Sequence, residues 1–233
     1  MSTRTLPPPL PPETRTVGQV VAEAIRLYGR RFRLALPLGL PLAVADAFAV
    51  VDTTVAEKIL ILVVAAPAFT FAFAWAAALA ADVRPARATW LRALVLGTLA
   101  FLPAAFFFPW FAILSVAWLA LVGLVVPVVM IEDAPVRAAL RRAVELCRAD
   151  YIHALGSLAT LVIVFVLSRV ALAFLLREQA DNTIRAAVFV ADLVISPLLF
   201  LGAALLYFDQ AARVSRTSER KRSAGGVNGT SRA

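Results

Sequence analysis

The sequence predicts an all-α fold: a polytopic transmembrane helical bundle of about six spans plus two cytoplasmic interfacial amphipathic helices. Three observations lead there. Apolar residues form long runs, basic residues collect between alternate runs, and two segments outside the runs carry apolar stripes at helical spacing. The 233 residues are 61% hydrophobic with mean hydropathy +0.84, whereas soluble domains are about 45–50% apolar.

A helix needs roughly 20 apolar residues to cross the hydrocarbon, with about 17–25 common. Six segments qualify: about Leu34–Val51, Ile59–Ala81, Ala93–Phe108, Phe111–Ile131, Ala154–Leu176 and Ala187–Phe208. Only Pro109 and Trp110 separate the third from the fourth, and Pro103 interrupts the third. That pair reads as a tight helical hairpin or as a re-entrant pair, and the length of both halves favours the hairpin. Pro37, Pro41, Pro127 and Pro197 also fall within spans. Broken helices line transporter sites, yet Pro is simply commoner in membrane helices than in soluble ones.

Basic residues alternate from loop to loop. Six precede span 1 (Arg4, Arg15, Arg26, Arg30, Arg31, Arg33), and three lie between spans 2 and 3 (Arg84, Arg87, Arg92). Four lie between spans 4 and 5 (Arg137, Arg141, Arg142, Arg148), and six follow span 6 (Arg213, Arg216, Arg220, Lys221, Arg222, Arg232). The other loops hold Lys58, none, and Arg177 with Arg185. Arg- and Lys-rich loops stay cytoplasmic, so both termini are expected inside, which requires an even number of spans. The net charge of +8 is thus read as orientation, and no nucleic-acid partner is expected.

The ends differ in composition from the middle. Residues 1–15, with Pro7, Pro8, Pro9, Pro11 and Pro12, read as a disordered Pro-rich tail without the apolar core of a signal peptide. Residues 16–213 form the integral membrane domain. Residues 214–233 read as a disordered basic tail whose charges favour anionic lipid. The sequon Asn228-Gly229-Thr230 falls on that cytoplasmic tail and is dismissed.

Two segments are amphipathic rather than spanning. In Val17–Arg33, residues Val17, Val21, Ala24, Ile25, Tyr28 and Phe32 share one face, and Gln19, Glu23, Arg26 and Arg30 the other. Thr16 and Gln19 suit a capping box, and only Arg31 breaks the pattern. In Val136–Tyr151, the stripe is Val136, Leu140, Ala143, Val144, Cys147 and Tyr151, with Arg137, Arg141, Glu145 and Arg148 opposite. Both read as helices lying in the cytoplasmic interface against anionic head groups. A shift of 119 residues superposes them with five identities in the twenty positions Val17–Leu36. An internal repeat and convergence on one design account for this equally well.

The segments "VGQVVAEAIRLYGRRF" and "PVVMIEDAPVRAALRRAVEL", with the ending "LLYFDQAAR", carry a resemblance across residues 16–213. The chain resembles the membrane-domain family named after glycerophosphoryl diester phosphodiesterases, within the broader group of YciC-like six-span bacterial proteins. The resemblance implies this topology and a bacterial plasma membrane. Relatives of that name carry a separate phosphodiesterase domain, for which this chain has no room, so no catalytic residue is transferred.

Charged groups inside a membrane are costly and mark candidate sites. Asp46, Arg169 and Asp192 fall within spans at similar depth in the outer third, and Arg169 is expected to pair with one or both carboxylates. Such a cluster either holds helices together or serves a transport or proton-relay role. Ala72, Ala76 and Ala80 form a small-residue ridge suited to close internal packing or to a homodimer seam. Trp90 and Trp110 sit near span ends as anchors. His153 and Ser157 lie one helical turn apart, without the orienting acid and oxyanion hole a hydrolase needs. Asp209 is expected to pair locally with Arg213. One Cys and one His build no metal cluster, and no cofactor is expected. The expectation is a membrane protein with no catalytic site of its own that organises or supports partners. The alternative is a small-solute or ion transporter using Asp46, Arg169 and Asp192. A polar cavity reaching the midplane would separate the two.

Overall fold

The computed structural model describes residues 15–49 and 54–227, excluding the side chain of Asp181 and those beyond Arg216. The Pro-rich leader and the sequon lie outside the described residues. Helix α1 (Val17–Arg30) is followed by α2 (Phe32–Ala35), a 3-10 turn (Leu36–Gly39) and α3 (Leu40–Ala49), which together make span 1. Spans 2 and 3 are α4 (Val55–Ala81) and α5 (Arg87–Phe107). Span 4 is α6 (Ala112–Val122) with α7 (Val125–Glu132). Helix α8 (Val136–Ala149) leads into span 5, α9 (Tyr151–Leu175), and span 6 is α10 (Asp181–Ile195) with α11 (Pro197–Val227). No strand occurs among the described residues, and six helical runs are long and apolar enough to cross a membrane. The architecture is therefore an all-α, multi-pass membrane bundle.

Proline acts differently from place to place. Pro37 opens the 3-10 turn that breaks span 1, and Pro197 begins α11 after the break in span 6. Pro67 and Pro103 sit inside continuous helices. Pro103 therefore does not interrupt span 3, because membrane helices tolerate a lost backbone hydrogen bond when their neighbours compensate.

Spans 3 and 4 form an antiparallel hairpin along their full length. Near the turn, Ser115 Oγ donates to Ala104 O (2.9 Å) and Trp118 Nε1 to Ala100 O (2.8 Å). At the far end, Thr89 Oγ1 donates to Asp133 Oδ1 (2.6 Å). At 21 residues each, both halves are about 31 Å long, a full crossing. Asp82 and Asp133 both adopt left-handed conformations where spans 2 and 4 end, a role short polar side chains fill well. The Thr89 hydroxyl and the Arg92 guanidinium hold the Asp133 carboxyl below its ordinary range.

Helix α4 packs against α3, α5, α7 and α11 and is the centre of the bundle. Ala72 and Ala76 are buried there, so the small-residue ridge faces inward and lets neighbouring helices approach. Its start is a capping box: Glu57 N donates to Thr54 Oγ1 (3.3 Å), and Thr54 N donates to Glu57 Oε2 (2.6 Å). Thr54→Ala is expected to lower stability by about 1 kcal/mol. Thermal unfolding in detergent measures this, and a midpoint equal to the parent's would remove the cap's contribution.

The apolar faces of the two amphipathic helices are only partly covered by the bundle. Residues Val20, Ala24, Leu27 and Tyr28 are the buried face of α1, against α11 and α9. Of the expected stripe, Ala24 and Tyr28 are buried, Val17 and Val21 are half-buried, and Ile25 (54%) and Phe32 (45%) are exposed. In α8 the buried face is Ala139, Ala143, Leu146 and Cys147, against α6, α7 and α11. There Val136 and Leu140 are exposed, and Val144 and Tyr151 are half-buried. The apolar arc is wide enough to be divided: one flank packs on the bundle, and the other stays uncovered beside the Arg face. Shifted by 119 residues, buried positions fall on buried ones: Val20 on Ala139, Ala24 on Ala143, Leu27 on Leu146 and Tyr28 on Cys147. Burial raises the Tyr28 hydroxyl and the Cys147 thiol above their usual ranges.

Arg31, which broke the stripe, has a structural task. Its Nη1 donates to Leu79 O (3.3 Å) and its Nη2 to Asp82 Oδ1 (2.8 Å), closing the end of α4. At the C-terminus the helical backbone of α11 continues to Val227, past the boundary drawn at residue 214. Arg, Glu and Lys in that stretch are good helix formers, which composition alone read as disorder.

Candidate functional site

At the end of the bundle opposite α1 and α8, three elements bring the intramembrane charges together. Asp46 comes from α3, Arg169 from α9 and Asp192 from α10. Arg169 Nη1 donates to Asp46 Oδ1 (3.0 Å), and Nη2 donates to Asp46 Oδ2. Its Nε lies 3.5 Å from Asp192 Oδ1. The side chain of Asp192 is 0% exposed, against 18% for Asp46 and 30% for Arg169. The guanidinium carbon also sits 5.8 Å from the centre of the Phe165 ring, a cation–π distance.

Close backbone packing positions Asp192. A Cβ on Gly39 would lie 2.2 Å from Leu193 O, so the 3-10 turn of span 1 touches the backbone of α10 directly. Ser196 Oγ donates to Gly39 O (3.5 Å) across the same joint. Only a residue without a side chain permits that approach, and it brings Asp192 beside the Asp46 helix.

Arg169 also forms part of the wall of a central cavity of about 490 Å³. All six spans contribute, for example Leu42, Phe73, Phe101, Leu119, Phe165 and Phe200. Among the lining residues Arg169 is the only charged one. Ser115 is the only hydroxyl there, and it donates to Ala104 O. Phe108, Val166 and Val170 line the cavity and are exposed, which puts a mouth between the hairpin turn and α9, beside Arg169. Span 5 is the least buried of the six, which suits a wall open to one side.

A second polar cluster lies at the basic end, where α1, α9 and α11 meet. Arg15 Nη1 is 3.5 Å from Asp209 Oδ1, and His153 Nε2 is 3.6 Å from Asp209 Oδ2. Arg213 Nη1 donates to Asp150 Oδ2 (2.7 Å), and Gln210 Nε2 to Asp150 O (3.2 Å). The Arg213 charge acts on Asp209 as expected, but the close partners of Asp209 come from other helices, and Arg213 itself pairs with Asp150 at the start of α9. His153 is drawn to Asp209, while Ser157 Oγ makes no hydrogen bond among the described residues.

Sequence reasoning named Asp46, Arg169 and Asp192, and the structure brings all three together. It did not find the cavity, nor the roles of Arg15, Asp150 and Gln210. A cavity has no local sequence signature, since its walls come from every span. No family model, curated protein or solved structure matches this chain.

Proposed function

We propose that this is a multi-pass protein of the bacterial plasma membrane that performs no chemistry of its own. It holds an apolar-tailed amphiphile of the bilayer in its central cavity and supports membrane partners, with both termini on the cytoplasmic side. The cavity is the observation that carries this reading. Its size falls within the ~300–1,000 Å³ range of small-ligand sites, and its walls are almost wholly apolar. Because the cavity is open at its mouth, its apolar walls are accessible to the acyl chains of a surrounding bilayer. Water does not fill a cavity so poor in polar partners, whereas an acyl chain restores the missing contacts. The same walls weigh against an ion or polar-solute path through Asp46, Arg169 and Asp192. The uncovered flanks of α1 and α8, with Arg26, Arg30, Arg137 and Arg141 beside them, suit an anionic leaflet surface.

Native mass spectrometry of the protein extracted in mild detergent tests the reading. The expected result is one co-purifying chain-bearing lipid per protein, lost when Ala105 and Ala203, both in the cavity wall, are replaced by Phe. Equal lipid retention by the parent and the folded double variant would overturn it. Turnover of a phosphodiester lipid, abolished by a point mutation, would overturn the non-catalytic assignment.

A further inference from the structure

The cavity has a closed end and an open end, and they lie in different halves of the bundle. Toward the basic end its lining includes Phe73, Leu124 and Leu206, all buried. Phe73 and Leu124 each stand eight residues short of the basic ends of their spans, Ala81 and Glu132, so this floor lies about 12 Å inside that end. Beyond it, Tyr207 Oη donates to Glu132 Oε1 (2.7 Å), and Asp209 lies between Arg15 and His153. Polar pairs, rather than a passage, therefore separate the floor from the basic surface. At the other end Phe108, Val166 and Val170 line the cavity and are exposed. Their exposed neighbours include Phe106, Ile163 and Leu167, so the mouth opens sideways among groups suited to hydrocarbon rather than water.

Along α9 the lining runs from Leu158 to Val170, a rise of about 18 Å. A staggered hydrocarbon chain with ~1.52 Å bonds at about 111° advances ~1.25 Å per carbon, so about 14 carbons cover that length. Spread over it, 490 Å³ is a section of about 27 Å², whereas one methylene chain with contacts at about 4 Å fills roughly 20 Å². There is room for one chain and not for two.

We infer that the cavity takes a single chain of about 14 carbons, tail first, from a lipid of the leaflet opposite the basic end. This rests on the cavity reading above and adds the number of chains, their length and their leaflet. With both termini inside, that leaflet is the outer one. The head group stays outside the mouth. Arg169 is already paired with Asp46, so the site reads the chain and not the charge of the head group. A lipid of the basic leaflet meets the closed floor instead.

Photolabelling of the full-length protein in its own membrane tests this. The probes are decanoyl and myristoyl lysophosphatidylcholine with a diazirine at the end of the chain, added to spheroplasts or to inverted vesicles. From the spheroplast side, the myristoyl probe is expected to label the peptides holding Phe73, Leu124 and Leu206. The decanoyl probe, about 5 Å shorter, should lose that labelling and mark residues nearer the mouth. Ala105→Phe with Ala203→Phe should abolish floor labelling, and Ala203→Phe alone serves if the double variant does not fold. Floor labelling by both probes alike would overturn the chain length, and two adducts at one floor would overturn the single chain. Equal floor labelling from inverted vesicles would overturn the leaflet. A myristoyl probe that marks only lipid-facing residues such as Val164 and Leu167 from either side overturns the cavity reading itself.

Discussion

Replacing Arg169 with Met is expected to destabilise the bundle by about 3 kcal/mol, the lower end of the cost of breaking a buried ion pair. The partial exposure of Arg169 and Asp46 sets that lower end, since neither is fully enclosed by protein. Met keeps the apolar stem, so the loss reports charge rather than volume. Two carboxylates from different spans would then face each other without a cation. The defect should therefore shrink as the pH is lowered and protons take over the role of the guanidinium. Adding Asp46→Asn and Asp192→Asn should recover most of the loss, because the uncompensated charges go with the cation. Thermal unfolding in detergent is the measurement, and a single variant as stable as the parent would show that the cluster holds nothing together.

Gly39→Ala is expected to cost about 3 kcal/mol, the upper part of the usual range for overpacking. The reason is what the new methyl meets. Its nearest neighbours would be Leu193 O at 2.2 Å, Leu193 C at 2.7 Å and Leu193 Cα at 2.8 Å, all backbone. A flexible side chain could yield, but here the whole of α10 must shift, carrying Asp192 away from Arg169. Gly18→Ala is the control. Nothing lies within 4 Å of a Cβ there, and Ala is a better helix former than Gly by up to ~1 kcal/mol, so that variant should be unchanged or more stable. A Gly39→Ala protein that unfolds with the parent would place the close approach of α10 elsewhere.

The spans and the amphipathic helices were legible because membrane burial imposes length and periodicity on consecutive residues. Alternation of Arg adds the expected orientation by the same local logic. Which flank of α1 packs on the bundle was not legible, for a physical reason. Its apolar arc is wider than one packing interface, so Val20, Ala24 and Leu27 compete with Val21, Ile25 and Phe32, and periodicity ranks them equally. The pairing of Asp209 shows the same limit. Arg213 is its neighbour along the helix, but Arg15 lies 194 positions away in the chain, and only the docking of α1 on α11 brings it close.

By itself the sequence determined an all-α bundle with six apolar helices, two amphipathic helices outside them, and three intramembrane charges. Each of these is a property of a short window, set by hydrophobicity and helical spacing. The tertiary structure alone decided that Arg169 is shared between Asp46 and Asp192, that Gly39 is where span 1 meets α10, and that six spans leave an apolar cavity among them. Those depend on how helices distant in sequence pack side by side, and the free energy of that packing is spread over contacts that no single segment encodes.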